Sequence, residues 1–285
     1  MNTGDYAVII AILIYFMVVL IIGFSYARRA NKSSSEYFLG GRKVGPWFTA
    51  LSAEASDMSG YLLMGLPGLA YFTGAADAGW TCIGLALGTY FNWLLVAKRL
   101  RRYSEKANDS ITLPGFYSNR FHDTKNVVST VAAVIILIFF CVYTGSCFVT
   151  CGKLFNTLFG MDYTVMMIFG AIIVFLYTMV GGYLSVVATD FVQGCLMFFA
   201  LAVVVIGSIA MAGGVENTAA FLSDIPGYLS MVQTATPEVN ADGVQYMIGG
   251  APIFGIPAEY GLLTIISTLS WGLGYFGMPQ VLVRF

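Results

Sequence analysis

Glu54 and Asp57 fall inside an otherwise apolar stretch, residues 46–72, that is long enough to cross a bilayer. A carboxylate at the centre of a membrane helix costs about 2.5–3.5 kcal/mol on insertion scales, so a partner is expected. On a helical wheel Asp57, Gly60, Met64 and Gly68 share one face, while Leu62, Leu66 and Leu69 lie on another and can meet lipid. Ser52, Ser56 and Ser59 add hydroxyls on a third side. The run Gly65-Leu66-Pro67-Gly68 is expected to disturb regular helical bonding, which frees backbone carbonyls at membrane depth. Charge, hydroxyls and carbonyls together suit a small cation. The competing reading is structural: glycines that let helices approach closely, with Asp57 protonated or hydrogen-bonded in a core.

A second stretch has the same character. Ser267 and Ser270 precede Trp271-Gly272-Leu273-Gly274-Tyr275-Phe276-Gly277-Met278-Pro279, where three glycines and a proline break a helix in mid-bilayer. Paired interrupted helices in corresponding places of two halves are the best sequence pointer to the binding site of a secondary transporter.

The elements that must hold these residues are membrane spans. Of the 285 residues 58% are hydrophobic and only 10% charged, against about 25% charged in soluble domains. The expected class is an all-α polytopic membrane protein, with the lipid bilayer as its solvent. A balance of 14 basic to 15 acidic residues lacks the net basic footprint that nucleic acid binding needs. Cys82, Cys141, Cys147, Cys151 and Cys195 lie in apolar stretches and His122 is the sole histidine, so neither a disulfide framework nor a zinc site is suggested. No nucleophile and base set or phosphate loop marks an enzyme.

Seven stretches are long and apolar enough: 6–26, 46–72, 79–96, 127–154, 164–180, 191–211 and 262–285. Twelve of the 14 basic residues fall between the first and second or the third and fourth, and residues 212–261 carry acidic residues without lysine or arginine. The basic connections should stay cytoplasmic, with the N-terminus outside and 212–261 extracellular. The segment 98–125 also has the composition of a lipid-headgroup site, although topology alone explains it. Five spans separate the starts of the two interrupted helices, so they run in opposite directions. That is the arithmetic of an inverted repeat: an N-terminal span (6–26), a first five-helix repeat (46–211), the extracellular connection and the first helix of a second repeat (262–285). On this count the sequence is expected to be the first part of a longer transporter.

Particular residues carry a family resemblance. Ala50-Leu-Ser-Ala-Glu-Ala-Ser-Asp-Met-Ser-Gly60, Leu62-Leu-Met-Gly-Leu-Pro-Gly68, Tyr37-Phe-Leu-Gly-Gly-Arg42, the run from Tyr177 through Gly181-Gly182 to Thr189-Asp190 and Gln193, and Gly272-Leu-Gly-Tyr-Phe-Gly277 together resemble the solute:sodium symporter family. The likeness is to its branch that couples sodium to proline. The resemblance implies the leucine-transporter type inverted-repeat fold and sodium-driven uptake of L-proline at a plasma membrane, such as a bacterial inner membrane, with sodium as the coupling ion and no cofactor. It implies that backbone carbonyls of Ala55 and Met58 hold sodium, that Asp57, Ser59 and Gly60 serve sodium and solute use, and that Tyr143, Trp271 and Tyr275 lie near the solute. Arg42 and Asp190 match further functional positions. Each also has a plainer reading. Tyr143 could be a core aromatic, Trp271 and Tyr275 could stack at i, i+4, Thr189-Asp190 could be the N-cap opening the sixth span, and Arg42 could be a topology determinant. A transporter-like sensor module, a symporter for another small solute and, more remotely, a seven-helix receptor are the alternative functions.

Overall fold

In hydrocarbon only internal bonding satisfies the backbone, so charge-free runs of leucine, isoleucine, valine and phenylalanine form helices. The computed structural model describes residues 3–284, and these are mostly helical. Met1, Asn2 and Phe285, the last residue of the expected seventh span, lie outside the described residues. The helices are α1 (Thr3–Ala30), α2 (Ser34–Leu39), α3 (Pro46–Asp57), α4 (Leu66–Thr73), α5 (Ala75–Phe91), α6 (Lys98–Lys106), α7 (Leu113–Phe121), α8 (Val127–Phe159), α9 (Tyr163–Met211) and α10 (Val215–Ser223). Four two-residue strands follow, β1 (Gln233–Thr234), β2 (Met247–Ile248), β3 (Ala251–Pro252) and β4 (Ala258–Glu259). The chain then enters α11 (Leu262–Leu269), a 3-10 segment Ser270–Phe276, and α12 (Pro279–Leu282).

Among the described residues, four helices are long and apolar enough to cross a membrane: Tyr6–Ala30, Ala75–Lys106, Val127–Phe159 and Tyr163–Met211. The protein is therefore a mostly helical, multi-pass membrane protein. The expected first, third and fourth spans appear as single helices. The expected second and seventh spans are divided into pieces: the second breaks at Met58-Ser59, ahead of the Gly65–Gly68 run expected to disturb it, and the seventh changes winding over its glycines and resumes at Pro279. A π-helical turn over Asn92–Ala97 joins α5 to α6.

The expected fifth and sixth spans are the two helical parts of α9, which meet at a kink at Gly182, whose torsions φ 60 and ψ −159 are not helical; the second part begins there, earlier than the expected start at residue 191. Only glycine adopts this backbone without strain, and a Cβ there would come within 2.8 Å of Tyr37 O. The change of direction thus falls at Gly181-Gly182, and Thr189 and Asp190 are interior to the helix rather than its N-cap. Thr189 Oγ1 instead donates back to Ser185 O and Val186 O, at 3.0 and 2.9 Å.

The chain divides into two compact units. One comprises the chain up to Gly60, Arg99–Leu196 and the residues from Pro279 onward. Its core gathers Val19, Ile173 and Tyr177, with Tyr15, Phe16, Leu20 and Val186 packed around them. Phe48 of α3 stacks on Phe191 of α9 at 4.2 Å. The other unit comprises Tyr61–Lys98 and Met197–Met278. There β1 pairs antiparallel with β4 and β2 with β3. Hydrogen bonds from Ala75 N to Tyr228 O (2.7 Å), from Ala235 N to Thr73 O (2.9 Å) and from Trp80 Nε1 to Met231 O (2.7 Å) fasten the connection to the corner between α4 and α5.

Candidate ion and solute site

Pro46 opens α3, where its missing N–H costs nothing, and the helix runs to Asp57. Met58 then turns extended (φ −64, ψ 108), although its N–H still donates to Glu54 O at 3.1 Å. Helix resumes as a π turn over Tyr61–Gly65 before α4. The last carbonyls of a helix have no partner within it, and Ala55 belongs to that final turn. The interruption therefore places Asp57, the Ala55 and Met58 carbonyls and Ser59 on one short piece of chain. Gly60 follows where a Cβ would lie 2.2 Å from Thr150 Cγ2 of α8, so this break abuts α8 because residue 60 has no side chain. Tyr143 sits seven residues before Thr150, about two turns along the same face, within electrostatic reach of Asp57. The structure thus brings Ala55, Asp57, Met58, Ser59, Gly60 and Tyr143 into one region of the first unit.

Asp190 belongs to a different constellation. Its Oδ2 accepts from Ser52 Oγ at 2.7 Å, Ser56 Oγ at 2.9 Å and Arg284 Nη2 at 3.1 Å. The Arg284 Nε donates to Ser52 Oγ at 2.8 Å, and its other nitrogens reach Ser56 Oγ and Gln280 O. Both charged side chains are more than nine-tenths buried. Two charges taken this far from water are tolerable only with most of their hydrogen bonds made, as here. The guanidinium also lies over the Tyr183 ring at 5.8 Å. This cluster ties α12 to α3 and to α9 beyond its bend. Arg284 was not among the candidates read from the sequence. The argument that flags Asp57, a charge in an apolar stretch, applies equally to Arg284.

Arg42 follows a left-handed Gly40-Gly41 pair and is itself at φ 53. Its Nη2 donates to Ser110 O at 3.0 Å and pairs with Asp109 Oδ1 at 3.1 Å, and its Nη1 reaches Ser104 Oγ at 3.5 Å. Burial first, and the like charge of Arg101 second, pull its guanidinium below the ordinary arginine value, opposed by Asp109 and Glu105. Arg42 thus joins two basic connections.

In the second unit Trp271 and Tyr275 lie on the 3-10 segment. Trp271 does not stack on Tyr275 as its i+4 neighbour. Its ring instead packs against Tyr61 at 4.9 Å, while Tyr275 is buried, because 3-10 winding moves residues four apart off a common face. The segment crosses α5 backbone to backbone. A Cβ on Gly272 would lie 2.0 Å from Gly84 O, and one on Gly88 2.2 Å from Gly272 O.

Residues 37–285 match the sodium:solute symporter family. The chain is 44% identical over 278 residues to the sodium/proline symporter of Staphylococcus aureus strain JH9, and equally to that of strain COL. Each alignment covers 97% of this chain and 49% of the relative, so the chain spans about half the length of the curated relatives it matches. With most of its length matched, the chain belongs to the sodium:solute symporter family.

Proposed function

We propose that the protein carrying this chain performs sodium-coupled secondary active uptake of proline. The observation that carries this reading is the helix interruption at Met58-Ser59, which puts a carboxylate, a hydroxyl and terminal carbonyls together in a member of a symporter family. The high identity to sodium/proline symporters supports proline as the solute. In this account the Ala55 and Met58 carbonyls hold sodium, assisted by Asp57 and Ser59. Gly60 admits the close approach to α8. Tyr143, Trp271 and Tyr275 bind or orient the solute. Arg42 and Asp190 support coupling from outside that site. The driving energy is the ion gradient plus about 2.3 kcal/mol per charge for each 100 mV of membrane potential. Coupling requires that sodium and solute each favour the conformation that binds the other.

The same reading extends to architecture. Residues 46–211 form the first five-helix repeat of a leucine-transporter type fold and 262–285 begin an inverted copy, with the N-terminus outside and the basic connections cytoplasmic. The protein uses no cofactor beyond the coupling ion. Radiolabelled proline uptake by membrane vesicles carrying the protein tests this. An inward sodium gradient should raise uptake at least about tenfold, equivalent to roughly 1.4 kcal/mol of coupling. Uptake unchanged when potassium replaces sodium would refute sodium coupling, and uptake unaffected by excess unlabelled proline would refute the solute.

A further inference from the structure

The first unit contains a cavity of 260 Å³ where its two basic connections meet α12. Arg42, Arg101 and Arg284 line it, with hydroxyls from Ser104, Ser110 and Thr112, and among the described residues no carboxylate side chain does. Arg284 is neutralised by Asp190 behind the wall. Arg42 Nη2 pairs with Asp109 at 3.1 Å, while Arg101 bonds Glu105 through Nη2 at 3.3 Å and has Asp109 3.7 Å from its Nη1. The last distance is too long for a hydrogen bond. Arg101 Nη1 and Arg42 Nε are both buried N–H groups without a hydrogen-bond acceptor among the described residues. Buried, unpaired donors on like-charged guanidinium groups are costly, and an anion removes that cost. The N-terminus of α7 adds to the same field: Thr112 is its N-cap, Leu113 its first residue, and both line the cavity.

The geometry points to a binding site for a phosphate-bearing anion, held by Arg42 and Arg101 at the mouth of α7. With Asp109 on Arg42 Nη2 and Glu105 on Arg101 Nη2, the donors left for phosphate oxygens are Arg42 Nε and Arg101 Nη1, one from each guanidinium. Apolar residues such as Leu100, Phe116 and Leu282 complete the wall, so the site accepts an anion attached to a less polar body. Two sources present this chemistry: the headgroup of an anionic lipid in the leaflet facing the basic connections, or free phosphate. The site is built within one unit and its occupancy does not depend on the transport reading.

The test uses protein purified and delipidated in detergent, with thermal unfolding followed against phosphatidylglycerol, zwitterionic phosphatidylcholine and inorganic phosphate. Wild type should be stabilised by phosphatidylglycerol or by phosphate and not by phosphatidylcholine. Response to phosphatidylglycerol alone assigns the site to lipid, and response to phosphate assigns it to the free anion. Arg101→Gln should weaken the effective ligand about tenfold, whereas Arg99→Gln, the same charge change on a neighbour outside the cavity, should leave it unchanged. Should Arg101→Gln fail to fold, Arg101→Lys retains charge without the fork and should weaken binding severalfold. Equal losses in Arg99→Gln and Arg101→Gln, or no response of wild type to either phosphate source, would overturn the proposal.

Discussion

The two interrupted helices carry similar punctuation, serines followed by glycines and a proline, yet their backbones solve the interruption in opposite ways. At Met58 the chain turns extended and the helix ends, leaving terminal carbonyls beside a carboxylate. Over Ser270–Phe276 the chain tightens into 3-10 winding and keeps local hydrogen bonding, while Gly272 allows backbone contact with α5. The first break is polar and abuts a side chain, Thr150. The second is apolar and aromatic and abuts main chain. Glycine and proline therefore announce that a helix stops being regular, and the neighbouring residues decide whether the break presents oxygens or surfaces.

The largest effect should come from the far end of the second broken stretch, where Arg284 holds α12 on α3. Arg284→Met leaves Asp190 buried without its cation, and losing one partner of such a pair costs about 3–5 kcal/mol. The unfolding midpoint in detergent should fall sharply, and adding Asp190→Asn should recover much of the loss. Independent, additive losses would separate α12 from the Asp190 cluster.

Next comes backbone contact. Gly272→Ala drives a Cβ into Gly84 O, and main chain cannot rotate away, so a loss of about 1–3 kcal/mol is expected with no rescue by side-chain trimming. Gly60→Ala meets the Thr150 side chain first, so its cost should be smaller and should shrink when Thr150→Ala removes Cγ2 and Oγ1. Rescue at residue 60 and none at 272, read by thermal unfolding, sharpens the comparison; the same response at both would erase it. The smallest effect concerns Tyr61 and Trp271. Tyr61→Leu keeps apolar bulk and forfeits only the ring pair, about 0.5–1.5 kcal/mol by a double-mutant cycle with Trp271→Leu.

The sequence contains local signals and omits distant partners. The apolar runs that became α1, α5 and α8 are visible because lipid demands them, and Asp57 is conspicuous because its charge is costly there. The run Gly65-Leu66-Pro67-Gly68 marked this stretch as irregular but in the wrong place: helix continues through it, and the break at Met58 carries no glycine or proline signal of its own. The bend at Gly182 had a signal in the glycine pair, and Thr189-Asp190 was the wrong boundary because a capping sequence also suits a helix interior when its side chains bond elsewhere. Asp190 could not be matched to Arg284, 94 residues away, nor Trp271 to Tyr61, because periodicity within one helix says nothing about which other helix it meets.

The most direct test of the account is the sodium dependence of proline uptake in Asp57→Asn and Asp57→Glu, normalised to the amount of protein in the membrane. Asparagine preserves shape and removes an attraction worth several kcal/mol to a cation about 4 Å away at intermediate dielectric, so sodium affinity should drop by about two orders of magnitude. Because linkage is reciprocal, apparent proline affinity should also lose its dependence on sodium concentration. Glutamate keeps the charge one methylene further out and should retain part of both. An Asp57→Asn protein that reaches the membrane in normal amount and takes up proline with unchanged sodium dependence would contradict the ion role assigned to this break.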